Sequence, residues 1–209
     1  MMKDKTELVL LIVVACSVMF IAGIYMLSGS PGTVEKPLWQ VLREKNTTTV
    51  TKIVVDKSEG TLSLYARNKW LKSYWVEFGE GGAGDKQYAG DKKTPEGNFY
   101  ITEKSVLSPS DKYLGSRWMR LSYPNIEDAD RGLRQGLIDR YTRDAVVAAF
   151  SSGKTPPQRT ALGGGIGIHG GDKPEFGDNW TWGCIALSNS NVEDFYNYVA
   201  VGIPVVIQK

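Results

Sequence analysis

Residues 163–189, GGGIGIHGGDKPEFGDNWTWGCIALSN, limit this chain more than any other stretch. Ile166-Gly167-Ile168 and Cys184-Ile185-Ala186-Leu187 are short apolar runs that read as buried strands. A loop of roughly a dozen residues joins them. Gly163, Gly164 and Gly165 permit tight turns, and Gly183 leaves room beside the residue that follows it. Side-by-side pairing of the two strands is expected to bring His169 and Cys184 face to face. His169 is the only histidine, and Cys184 the only cysteine outside an N-terminal apolar segment.

That pair carries a specific chemistry. A thiol becomes a strong nucleophile when an imidazole removes its proton. Backbone N–H groups aimed at the oxygen of an attacked carbonyl complete such a site, and Gly183 and Cys184 are placed to supply them. Taken singly, a buried cysteine is usually a small hydrophobe and a lone histidine is usually structural. Together, flanked by glycines, they point to nucleophilic catalysis, and a catalytic Cys184 is expected to alkylate fast at neutral pH. Two such ligands are too few for a zinc site.

The same segment resembles the active-site motif of the L,D-transpeptidase catalytic domain, the YkuD-like family. That motif is His-Gly, a loop, Ser/Thr-His-Gly-Cys, an apolar residue and a later Asn. Here it stands as His169-Gly170, then Thr181-Trp182-Gly183-Cys184-Ile185, then Asn189. Two further blocks resemble the family: the Thr94-Pro95-Glu96-Gly97 turn within residues 90–99, and Ser122-Tyr123-Pro124-Asn125 before the His-Gly strand. The resemblance covers residues 52–209. Trp182 stands where the family often has histidine, and Ala186 where it often has arginine. The first change leaves His169 as the only base and alters the wall of the oxyanion site; the second bears on substrate charge.

The resemblance implies a mainly β domain, a barrel or sandwich with short helices. It implies peptidoglycan as substrate and no cofactor. Cys184 would attack the third residue of a tetrapeptide stem and expel D-alanine. His169 would serve as base and then acid, oriented by the backbone carbonyl of Gly170. Thr181, Trp182 and Gly183 would line the oxyanion and substrate side. The thioester would pass to an amine of a second stem, to a lipoprotein lysine, or to water, and carbapenems would acylate the thiol.

Elsewhere the chain is ordinary. A net charge of +2 gives no electrostatic case for nucleic acid. Residues 1–7 form a short charged tip, with Lys3 and Lys5. Residues 8–27 are an uncharged apolar run long enough to span a bilayer as a helix, read as an anchor or an export signal. The catalytic domain is then expected outside the cytoplasmic membrane. Residues 28–51 read as a linker; residues 37–44 have helical spacing, preferred here as part of a spacer. Strands are expected around residues 53–55, 62–65, 70–78, 98–102, 118–123 and 203–207. The loop 79–90 lacks the helix that a nucleotide-binding loop needs.

Residues 126–153 read as a helical insertion, with a helix from 139 to 150. It is either a wall over the cleft or a surface addition. Residues 190–199 read as a helix with a Ser190/Glu193 capping box, its Val192, Phe195, Tyr196 and Val199 facing the core.

Three other protein classes share parts of this pattern. A sortase needs an arginine after its cysteine, and no arginine follows Cys184. A papain-like peptidase has Cys before His. A non-catalytic peptidoglycan-binding envelope protein would not need an intact His169 and Cys184.

Overall fold

The computed structural model describes residues 35–209. The charged tip, the apolar run and most of the linker's first part lie outside the described residues. The chain divides into two units, Met1–Lys36 and Pro37–Lys209, and the second is described here.

Eight strands form a single sheet in the order β3-β2-β1-β8-β4-β5-β6-β7. They are β1 Lys52–Asp56, β2 Thr61–Ala66, β3 Lys69–Trp75, β4 Gly97–Asp111, β5 Gly115–Leu121, β6 Gly167–His169, β7 Ile185–Ala186 and β8 Pro204–Gln208. After β3 the chain reaches the far edge of the sheet. Glu77 pairs with Ala186 and Gly79 with Thr181, so the two edges meet and the sheet curls into a barrel-like form. Closure of this kind leaves fewer unpaired edge groups.

Period-two alternation drives the packing. Ile53, Val55, Leu62 and Leu64 turn one way and are fully buried. Met119, Leu121, Ile168, Ile185, Val205 and Ile207 complete the same core.

Among the described residues the α-helices are α1 Leu38–Glu44, α2 Ile126–Arg134, α3 Arg140–Ser151 and α4 Asn189–Tyr196, of which α1 and α4 pack on this core. α4 inserts Val192 and Phe195 into the main core. Its N-cap is Ser188, whose side chain accepts the Asn191 N–H, so the helix starts two residues before the expected capping box. α1 corrects the spacer reading. Leu38 and Leu42 are buried in the main core, and Asp194 on α4 accepts the Leu38 N–H. Lys72 and Tyr74 donate to the same carboxylate. The folded unit thus starts at Pro37 rather than at residue 52, because two leucines one helical turn apart have a core to enter.

β4 runs well beyond the expected 98–102. Its outer half is a twisted hairpin arm with β5, with register shifts after Ile101 and Val106. Its polar composition, with Val106 exposed, hides it from an apolar pattern.

The 126–153 insertion is helical as expected, with Asn125 capping α2 and Asp139 capping α3. It builds a satellite core of Ala129, Ile138, Val146 and Leu162. The Ser122–Asn125 block ties this satellite to the sheet. Ser122 Oγ accepts the Tyr100 N–H, and buried Tyr123 donates to the Leu162 carbonyl. Asn125 closes a capping box with Asp128. Packing and capping account for this block without a role in catalysis.

Candidate active site

The two strands of the motif pair in parallel, not as a hairpin. Ile168 lies opposite Ile185 and His169 opposite Ala186. Cys184 sits one residue before β7, so the same register puts it beside Gly167. Alternation then turns Gly167, His169, Cys184 and Ala186 to one face, while Ile168 and Ile185 enter the core. His169 and Cys184 are neighbours offset by two positions rather than directly opposed. A parallel pair requires a crossover connection, and residues 170–184 provide it.

β5 extends this face. Trp118 is opposite His169 and Arg120 opposite Gly167. Only glycine fits at 167: a Cβ there would lie 2.5 Å from the Trp118 ring. The indole stacks beside the imidazole at 6.0 Å and 29°, and Trp180 meets the imidazole edge-on at 5.9 Å. Trp180 is held by its Nε1–H bond to Asp172 and by Phe176 at 4.6 Å. None of these aromatic residues stood out in the sequence, because their approach depends on strand register and on the crossover loop.

The tautomer of His169 follows from one contact. Nδ1 is 2.6 Å from the carbonyl oxygen of Gly170. A carbonyl only accepts, so Nδ1 carries the proton and Nε2 holds the free lone pair. Asn189 maintains this arrangement. Its Oδ1 accepts the N–H of Gly171 at 3.0 Å and of Ser116 at 2.9 Å, pinning the His-Gly-Gly turn to the start of β5. Asn189→Ala would leave two N–H groups without their acceptor. It is expected to cost about 2–4 kcal/mol in urea unfolding and to lower activity further by loosening the Gly170 carbonyl.

The nucleophile loop is equally constrained. Thr181 Oγ1 donates to the Cys184 carbonyl and accepts the Gly183 N–H. The Gly183 N–H is therefore engaged by Thr181 in the resting site, which leaves the Cys184 N–H as the freer candidate donor to an oxyanion. Gly183 has φ +122°, and a Cβ there would lie 2.7 Å from the Lys93 carbonyl. Thr94, buried, accepts the Gly79 N–H. The Thr94–Gly97 turn thus acts as a backing for the nucleophile loop. Trp182 is 79% exposed, so it stands at the rim. Cys184 is partly buried, and its thiol donates to the Gly165 carbonyl at 3.4 Å.

Burial sets the charge state of the resting pair. It lowers the imidazole to about 4, against the pull of the Gly170 carbonyl and of Asp111 and Asp172. It raises the thiol to about 11, against the Gly167 N–H and the charges of Arg120 and Lys86. Both groups are neutral near pH 7. At pH 7 only about one thiol in 10⁴ is ionised, so the free protein should alkylate slowly, contrary to the sequence-based expectation.

Burial of the neutral imidazole also couples stability to pH. The unfolded chain gains a proton near pH 6.5, and the folded site resists it until about pH 4. Stability therefore falls as pH drops through that window, by about 3 kcal/mol. Asp128, raised to about 6 by burial, shifts stability the opposite way over the same range, so the His169 contribution is read as the difference in pH dependence between the wild type and His169→Gln in urea unfolding at pH 7 and pH 4.

A neutral imidazole and a thiol on one face of a curled, mainly β sheet define a candidate thiol acyl-transfer site. The family model described as YkuD, L,D-transpeptidase catalytic domain, matches residues 51–207, and the chain belongs to that family. It is 36% identical over 84 residues to YafK of Escherichia coli (strain K12), which bears an L,D-transpeptidase name. That match covers 38% of this chain and 33% of the relative. Among solved structures it is similar to the helical cell shape determining protein Pgp2 from Campylobacter jejuni, with 27% identity and a TM-score of 0.52. The likeness covers 77% of this chain and 48% of Pgp2. The K307A mutant of Pgp2 matches comparably, at 28% identity and a TM-score of 0.51. The aligned part of this chain thus spans a third to a half of these relatives. Among the described residues no helix is long and apolar enough to cross a membrane.

Proposed function

We propose that this protein is a cysteine L,D-transpeptidase acting on peptidoglycan tetrapeptide stems outside the cytoplasmic membrane, held there by residues 8–27. The observation that carries the reading is the Nδ1 bond to the Gly170 carbonyl, which leaves Nε2 unprotonated on the face shared with Cys184.

Because both groups rest neutral, the pair acts by general-base catalysis rather than as a stored ion pair. His169 Nε2 takes the thiol proton as sulfur bonds to the carbonyl carbon of the third stem residue. The Cys184 N–H faces the oxygen of the tetrahedral adduct. The C–N bond then breaks, Nε2 returns the proton to the departing amine of D-alanine, and a thioester remains. An acceptor amine, from a second stem or a lipoprotein lysine, loses a proton to Nε2 and takes the acyl group, regenerating the thiol. Water in the same place gives an L,D-carboxypeptidase. Similarity to a protein named for helical cell shape extends the proposal to a part in cell shape.

Incubation of the protein with tetrapeptide muropeptides, and separately with a carbapenem, tests the reading by intact mass. An acyl adduct with D-alanine released supports it, and product masses name the acceptor. A folded protein with no adduct from either compound overturns it.

A further inference from the structure

We propose that Arg120 receives the free carboxylate of the donor's terminal residue and so selects stems that end in an uncapped acid. The inference rests on the acyl-transfer reading above and adds a specificity residue to it.

Arg120 lies in the same cross-strand row as the nucleophile. It pairs with Gly167, and the β6–β7 register puts Gly167 beside Cys184. Two strand spacings separate the Cα atoms of Arg120 and Cys184 by about 10 Å. The middle position has no side chain, and the Trp118 indole lies over it, so Arg120 approaches the nucleophile past the edge of that ring. Arg120 is held by Glu103 on the β4 side and by Gln158, its charge acts on the thiol from there, and an arginine is long enough to reach part of the way across that gap. The substrate closes the rest, because the leaving residue's carboxylate lies within about one residue, 3.8 Å, of the attacked carbonyl.

The guanidinium is held in place yet not used up. Nε is 2.8 Å from Glu103, Nη1 donates to Gln158 at 3.1 Å, and the group lies 5.4 Å from the Trp118 ring centroid. Gln158 Oε1 also accepts the Gly165 N–H, and Gly165 carries the carbonyl that accepts the Cys184 thiol. One network therefore positions the arginine and the resting sulfur together. Nη2 makes no hydrogen bond to a described residue, so it has donors to offer an incoming carboxylate. Glu103 is nearly half exposed, and solvent screens its pairing with the guanidinium.

Lys86, the other cation acting on Cys184, is buried and already paired with Asp91 at 2.5 Å and with the Tyr88 carbonyl. Arg120 is thus the cation with donors to spare.

The test compares two donors, a stem peptide ending in a free D-alanine carboxylate and the same peptide ending in a carboxamide. Acylation of the wild type, Arg120→Lys and Arg120→Ala is followed by intact mass, with thermal unfolding to show that each folds. The wild type should prefer the carboxylate by about 10–100-fold in kcat/KM, as expected for a charge-assisted hydrogen bond of about 1.5–3 kcal/mol. Arg120→Ala should collapse that ratio toward one, mainly by slowing the carboxylate donor, and Arg120→Lys should restore part of it. Equal slowing of both donors, or an unchanged ratio, overturns the role of Arg120 while leaving the acyl-enzyme intact. A wild type that forms an adduct with neither peptide overturns both readings.

Discussion

Cys184→Ala should form no acyl adduct with tetrapeptide stems or a carbapenem, and its release of D-alanine should fall by about 10⁴-fold or more. The methyl group keeps the small apolar volume of the site and removes only sulfur. Thermal unfolding should therefore change little, since the thiol's single hydrogen bond is a weak one to the Gly165 carbonyl. Cys184→Ser sharpens the test. It retains a donor to Gly165 but replaces a thiol by a much weaker acid, so it should remain nearly as inactive as the alanine variant. Stopped turnover in a stable variant separates a nucleophile from a small core residue. Appreciable turnover by Cys184→Ala would remove the thioester from the reaction.

His169→Gln should lower acylation by about 10²–10⁴-fold and leave Cys184 present but poorly activated. With the thiol raised to about 11, the residual rate should climb with pH as hydroxide takes over the deprotonation. The wild type should hold its rate across neutral pH, because the imidazole is already the free base well above about 4. The divergence of the two pH profiles distinguishes a base from a residue that merely packs between Trp118 and Trp180. Equal slopes in both proteins would assign proton removal elsewhere.

The contrast between the resting pair and the working pair has a physical origin. His169 is almost fully buried between two indoles, which penalises imidazolium, and the partly buried thiol is penalised as thiolate. A site of this kind stays unreactive toward general alkylating agents and gains its reactivity when a carbonyl is placed against the sulfur. Charge then develops on the carbonyl oxygen and the imidazole together, and fixed groups such as the Gly170 carbonyl stabilise it without reorganising.

Much of this was legible in the chain itself. Alternation at 53–55, 62–65 and 203–207 reports strands because period two is a local property. The one histidine and the one cysteine outside the apolar N-terminal run, each beside glycine, report the chemistry because no other residue of those kinds competes in the rest of the chain. Asn189 belonged to the recognised motif, although only its bonds to Ser116 and Gly171 explain why an amide oxygen is needed there.

Other features were decided in three dimensions. The parallel pairing of β6 and β7, which offsets His169 from Cys184, depends on how the crossover 170–184 returns to the sheet. The docking of α1 depends on a core that lies more than 100 residues away along the chain, where Asp194 accepts the Leu38 N–H. The Gly183 N–H is taken by Thr181 and the thiol is raised by its surroundings, and neither effect exists until the loop is packed. Sequence by itself determined which atoms are available for chemistry, because side-chain identity and strand periodicity are local. Tertiary structure decided which of them meet and in which protonation state, because register and burial are set by residues far apart in the chain.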